Sequence, residues 1–244
     1  MRTSIARRMT LPAAFLFCAT TMVLPSTKTY AQDSAPNTLT AKEREEGWKL
    51  LFDGTSTKGW RGVKKDAAPD GWQAVDGALV RVKGGGDLVT NDQFENFEFQ
   101  FDWKVAEGAN SGIFFRVNED WGVIQSPEYQ VLHNQKHPDG RNPVTSAASN
   151  YALHAPKKDL TKPVGEWNHG KIVVNGNHVE HWLAGEKVVE YELGSPEWTE
   201  LVKKSKFASM EHYGHSPKGN IALQDHGDRV EFRNMKIRTL PAKK

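Results

Sequence analysis

The segment "FENFEFQFDWKVA" limits the possible folds more than any other stretch of the chain. Phe97, Phe99, Phe101 and Trp103 share one parity, and Glu98, Gln100, Asp102 and Lys104 share the other. A period of two puts the aromatics on one side of an extended strand and the polar groups on the other; on a helix both sets would be scattered around the circumference. Such a strand covers a core with one face and leaves the other toward water, the habit of antiparallel sheets.

Similar runs follow along the chain. "WQAVDGALVRV" reads as two strands around a hairpin turn at Asp76-Gly77, and the long segment from Trp167 to Leu193 alternates with turns at Asn175-Gly176 and Ala184-Gly185. "SGIFFRVN", "PEYQVLHN" and "VEFRNMKIRTL" add further strands. Helical periodicity is confined to a short stretch around Ala41 to Glu46 and another from Pro196 to Lys206, with Ser195 as its cap. Strands at this spacing without intervening helices exclude a parallel α/β fold. The expected class is all-β, a sandwich of two antiparallel sheets.

The ends have a different character. "MRTSIARR" is basic, "MTLPAAFLFCATTMVL" is apolar, and small residues precede a cut after Ala31, so residues 1–31 read as a secretory signal peptide. The apolar run falls short of the roughly 18 residues that a membrane anchor needs. The only cysteine, Cys18, lies inside it, and the mature chain would contain no disulfide. Removing Arg2, Arg7, Arg8 and Lys28 lowers the 32 basic residues to 28 against 30 acidic ones, a net charge of −2. Nothing in that balance favours nucleic acid or, after signal removal, an anionic membrane. Residues 32–45 read as a flexible leader and 46–240 as one domain, secreted or periplasmic.

Candidate functional residues emerge from the same alternation. Glu128 and Gln130 share one face of their strand, Phe114 and Arg116 one face of theirs, and Gln224 and His226 one face of a third. If these strands belong to one sheet, Arg116, Glu128, Gln130, Gln224 and His226 make a polar patch, although a solvated sheet face would look the same. Amides and carboxylates satisfy the hydroxyl pairs of a sugar, and Trp121, Trp182 and Tyr151 are candidates to stack on its ring. The expected partner is thus a carbohydrate. The long polar segments 134–150 and 193–219 are the expected walls of such a site.

Ordinary glycoside hydrolysis needs two carboxyl groups across the bond. Here only Glu128 points into the patch; Asp225 alternates away, and Asp120 and Asp139 belong to loops. One Glu and one His suit proton abstraction beside a carbonyl followed by elimination, with Glu128 or His226 as base. All nine histidines lie between His133 and His226, but none has the helical zinc spacing. His178 and His181 face opposite ways on a strand, whereas His212 and His215 could ligate from a loop. A divalent metal, calcium or a transition metal, remains open as a cofactor.

The motifs "GWKLLFDGTSTKGWRG", "SGIFFRV", "EYQVLHNQKHPDG", "GEWNHGKIVVNGNHVEHWLAGEKVVEYE" and "GNIALQDHGDRVEFRNMKIRTL" resemble, in this order, the secreted bacterial 3-keto-disaccharide hydrolase family. The resemblance implies a concanavalin A-like jelly roll and action on sugars oxidised at C3. It implies functional positions at Glu128 and Gln130, at the Gln224-Asp225-His226-Gly227 turn, at Arg116 and at Trp182. One departure is His133, where the family usually has an aspartate. A lectin-like carbohydrate-binding module and a structural surface protein are the alternatives.

Overall fold

The computed structural model describes Met1 and residues 35–241; the expected signal peptide lies outside the described residues. The strands are β1 (Lys49–Leu50), β2 (Trp60–Gly62), β3 (Trp72–Val75), β4 (Ala78–Arg81), β5 (Leu88–Thr90), β6 (Phe97–Val105), β7 (Asn110–Val117), β8 (Glu128–Leu132), β9 (Asn168–Asn175), β10 (His178–Leu183), β11 (Glu186–Glu192), β12 (Asn220–Leu223) and β13 (Val230–Thr239). Two α-helices, α1 (Ala41–Glu45) and α2 (Pro196–Lys204), accompany them, and the Ser195 hydroxyl accepts the Trp198 N–H as the cap of α2.

The strands form two antiparallel sheets, and the expected all-β sandwich is the fold. The larger sheet runs β11-β10-β9-β6-β13-β4-β3, with β1 also paired to β13; the smaller runs β2-β5-β12-β7-β8. The expected hairpin turns are present. Asp76 and Gly77 have φ of 49° and 76°, and Ala184 and Gly185 have 51° and 80°, values suited to two-residue turns that match strand twist.

The parity of β6 decides what meets in the middle. Phe97, Phe99, Phe101 and Trp103 are buried against the smaller sheet. The Phe101 and Tyr129 rings meet edge to face with centroids 5.2 Å apart, and Phe97 and Phe115 do so at 6.3 Å. The Tyr129 hydroxyl donates to the Trp182 carbonyl at 3.1 Å and ties the two layers together. Full burial of each such ring contributes about 1.5–3 kcal/mol, so this seam is the main cohesion between sheets. The other parity of β6 is not simply solvated. Asp102 accepts from Asn234 at 2.7 Å and pairs with Arg233 and His169, while Glu98 pairs with Arg238, so the outer face of the larger sheet is laced with ion pairs.

Part of the stretch expected to be a flexible leader is tied down. Asn37 and Asn234 bond reciprocally, each backbone N–H donating to the other's side-chain carbonyl at 2.7 and 2.8 Å. Thr40 and Glu43 form a capping box on α1, and the Glu43 carboxylate pairs with Lys236 on β13. These contacts satisfy the donors of a short helix that could not persist alone.

Candidate active site

The outer face of the smaller sheet forms a floor. Two rows of residues point away from the core there. One carries Gln130, opposite Gly112, with Gln224 bonded through its N–H to the Gly112 carbonyl at 2.9 Å; the other carries Glu128, opposite Phe114, with Phe114 opposite Ala222. The parity reading of β8 therefore holds in space: Tyr129 and Val131 enter the core, and Glu128 and Gln130 enter the floor.

Loops turn the floor into a cavity of about 320 Å³, near the lower end for small-molecule sites. Ile124 and Ser126 form one wall, Tyr151 a second, Lys206 and Phe207 a third, and Asp87, Asp225 and His226 close it near the ends of β5 and β12. Both long polar segments or their borders thus supply walls, as expected. Glu128, Gln130, Gln224, His226 and Tyr151 are brought together.

Three candidates are not. Arg116 has φ of 54°, and β7 carries an extra residue against β12, since Asn220 pairs with Val117 but Ala222 pairs with Phe114. This bulge breaks the alternation after Phe115 and sends Arg116 away from the cavity. Its guanidinium donates to the Glu95 and Gly176 carbonyls at 2.8 Å each, a clamp from the smaller sheet to the β9–β10 turn. Trp182 lies on the outer face of the larger sheet, its indole N–H on Glu180 at 2.8 Å and its ring under the Lys171 ammonium at 3.9 Å. Alternation shows which residues share a face but not which sheet a strand joins. Trp121 stacks on His212 with centroids 4.4 Å apart, outside the cavity lining.

Several cavity residues escaped the sequence reading. Asp225 lines the cavity after all, because β12 ends at Leu223 and the chain leaves its extended path. Its carboxylate accepts Arg81 Nε at 2.7 Å and the Gly85 and Gly86 N–H groups at 2.9 Å each. Burial works against its charge, but these donors outweigh it and hold the group below the usual carboxylate range. Asp87, which follows three glycines, accepts the Asp225 N–H at 2.8 Å, and burial with the nearby Asp225 charge pushes its own carboxyl up. Asn110 presents a buried side-chain oxygen without a partner among the described residues. Lys206 stands with its ammonium 4.2 Å from the Tyr151 ring centre. Only the Gly-rich run before Asp87 and the loop content around Lys206 signalled these positions. The inference that a single carboxylate serves the site is therefore corrected: Glu128, Asp87 and Asp225 all line it.

Glu128 differs from the other acids. It is 6% exposed, and no group among the described residues bonds to its carboxyl. Burial pushes it up to about 8; the Lys206 charge opposes the shift and the charges of Asp87 and Asp139 add to it. His226 stands half-exposed at the mouth, its Nδ1 4.0 Å from Asp228. His133, the departure from the family pattern, is outside the lining and accepts the Gly108 N–H at 2.9 Å.

Among the described residues, the group of three with donor atoms within 4.8 Å of one another is His178, Glu180 and Glu190, and such a set can coordinate a divalent cation. It sits on β10 and β11, on the sheet opposite the cavity floor. The Lys187 ammonium already bonds the same two carboxylates at 3.0 and 2.6 Å, so an incoming ion would have to displace it.

Two antiparallel sheets with an acid-lined cavity on the outside of one define an all-β sandwich protein with an enclosed polar site. The chain belongs to the family described as the 3-keto-alpha-glucoside-1,2-lyase-like domain, whose model matches residues 47–238. A 3-keto-disaccharide hydrolase of Bacteroides thetaiotaomicron is 36% identical over 229 residues, spanning 80% of this chain and 79% of that protein. A Parabacteroides distasonis crystal structure with a provisional glycosyl hydrolase assignment superposes with a TM-score of 0.79 at 32% identity, covering 85% of this chain and 100% of that one. A second from the same organism, with the same provisional assignment, gives a TM-score of 0.62 at 30% identity, covering 79% and 99%.

Proposed function

We propose that the cavity cleaves the glycosidic bond of a sugar carrying a ketone at C3, a 3-keto-disaccharide or related glycoside. The observation that carries this reading is the Glu128 carboxyl, buried without a hydrogen-bond partner among the described residues in a cavity whose lining also includes the amides of Asn110, Gln130 and Gln224 and the ammonium of Lys206. A module that only binds has no use for such a group, because burying it costs stability and gives no contact in return.

The chemistry follows from the ketone. It acidifies the proton at C2, and removal of that proton lets the group at C1 depart. Glu128 takes the proton. A carboxylate whose conjugate acid titrates near 8 is a stronger base than a solvated one, and it is still substantially ionised in mildly alkaline water. Glu128 fills this role rather than His226, which stands half-exposed at the mouth. The Lys206 ammonium offers positive charge to the enolate oxygen that forms as the proton leaves. Gln130 and Gln224 donate and accept hydroxyl hydrogen bonds, the Asn110 oxygen accepts one, and Tyr151 flanks the ring. Water then adds across the double bond to complete hydrolysis.

The reading includes secretion or periplasmic placement, supported by the signal-like first 31 residues. Among the described residues no helix is long and apolar enough to cross a membrane. The test is a panel of oxidised and unoxidised disaccharides and aryl glycosides, with products followed by mass spectrometry. Release of product from the 3-keto compounds alone is expected. Equal cleavage of the unoxidised sugars would replace this reading with ordinary acid-pair hydrolysis.

A further inference from the structure

The proton taken from C2 accounts for half of the chemistry; the departing oxygen at C1 needs a proton too. We infer that Asp87 supplies it, an inference that rests on reading the cavity as the place where a 3-keto-glycoside is cleaved.

The placement comes from the sheet. Asp87 immediately precedes β5, and Gln224 immediately follows β12, each one step beyond the pair Leu88–Leu223. Gln224 in turn bonds to Gly112, which pairs with Gln130 on β8. Asp87 therefore stands two strands away from Gly112, about 10 Å at the backbone. The Glu128 carboxyl leans over Gly112, where a Cβ would lie 1.9 Å from its Oε1. Both carboxyls line the same cavity, and the Asp87 charge is close enough to act on Glu128, so one sugar ring seated on the floor can reach the two acids.

The two acids at the ends of β5 and β12 differ in charge. Asp225 has its carboxylate fully engaged by Arg81 and two backbone N–H groups, and it remains ionised. Asp87 spends one oxygen on the Asp225 N–H at 2.8 Å, and its other oxygen has no partner among the described residues. Burial and the neighbouring negative charge favour its protonated form. Environments that drive two adjacent carboxyls apart mark one as acid and the other as support.

The step balances. Glu128 receives the C2 proton, the C2–H electrons form the C1–C2 double bond, and the C1–O bond breaks toward the leaving oxygen. That oxygen takes the proton of Asp87. A water then adds its oxygen to C1, giving one proton to the Asp87 carboxylate, while Glu128 returns its proton to C2. One water is consumed and nothing is oxidised or reduced.

The test compares Asp87→Asn, which keeps an acceptor for the Asp225 N–H, on two substrates in the same preparation. A 3-keto-disaccharide leaves as an alcohol that needs the proton; a 4-nitrophenyl 3-keto-glycoside leaves as a stable phenolate that does not. The disaccharide rate is expected to fall at least about 100-fold, and the aryl rate less than about tenfold. The ratio does not depend on the folded fraction, and Asp87→Ser provides a second variant. Equal losses on both substrates, or no loss on either, would overturn the role of Asp87. If wild-type protein cleaves neither compound, the functional reading itself fails instead.

Discussion

The Glu128 carboxyl occupies the space that a side chain at Gly112 would fill. A Cβ there would come within 1.9 Å of Glu128 Oε1 and 2.7 Å of its Cδ. The φ of Gly112 lies outside the left-handed region, so the glycine serves the neighbouring acid and not the backbone. The absence of one methyl group lets a residue on the edge strand β8 lean across β7 toward Gln224 and Asp87.

Gly112→Ala tests this directly. The strand accommodates alanine, which is favoured over glycine in extended structure, so the melting temperature should hold or rise. The Glu128 carboxyl must swing away, and a displacement of about 1 Å in a reacting group costs on the order of 100-fold in rate. Steady-state kinetics on a 3-keto-disaccharide, alongside a thermal melt, checks both outcomes. Unchanged kcat would show that Glu128 has no need of the space.

Arg116 illustrates where pattern reading fails. Replacing it with alanine deletes a buried guanidinium and its bonds to the Glu95 and Gly176 carbonyls, and a loss of about 1–3 kcal/mol in stability is expected. KM of the folded fraction should be unchanged, because the guanidinium lies away from the cavity. Denaturant unfolding and substrate titration separate the two readouts; a raised KM at full stability would return Arg116 to the substrate.

Trp182 makes the complementary case on the other sheet. Trp182→Ala removes the ring under the Lys171 ammonium and the donor to Glu180, costing about 1–2 kcal/mol of stability. Turnover and KM are expected to match wild type. A large rise in KM for the keto-sugar would mean that the substrate crosses both faces of the molecule.

These two residues show what could be read in advance. Parity places neighbours on a face as long as each residue advances the strand by one step. That condition held from Phe97 to Lys104 and from Glu128 to Leu132, so the core seam and the pair Glu128 and Gln130 were legible. It failed at Arg116, where one residue in the left-handed region shifts everything after it. It failed at Asp225, two residues past the end of β12. It could say nothing of Trp182, because sheet membership depends on long-range pairing. Asp87 and Lys206 belong to irregular backbone, where direction follows from contacts made in the folded chain. The acids that complete the cavity were therefore hidden for the same reason that loops host chemistry: their conformation is free of a repeating rule.

The buried Glu128 also couples stability to pH, in the direction opposite to activity. Its carboxyl rises from an ordinary 4.5 to about 8, with burial as the first cause. Between these two values the unfolded chain has lost the proton while the folded one keeps it, so the unfolded state binds fewer protons and stability falls as pH rises. The fall spans roughly pH 4.5 to 8 and amounts to at most a few kcal/mol. Over the same window the ionised base becomes more abundant, and kcat/KM for the 4-nitrophenyl 3-keto-glycoside, which does not draw on the Asp87 proton, should climb about tenfold per unit before levelling near 8. Glu128→Gln removes both effects: its stability should exceed that of wild type increasingly across the window, while product release is abolished. Melts at a series of pH values, paired with a pH–rate profile, check the two slopes together. Parallel stability curves for variant and wild type would mean that Glu128 titrates normally, and the base role assigned to it would lose its physical ground.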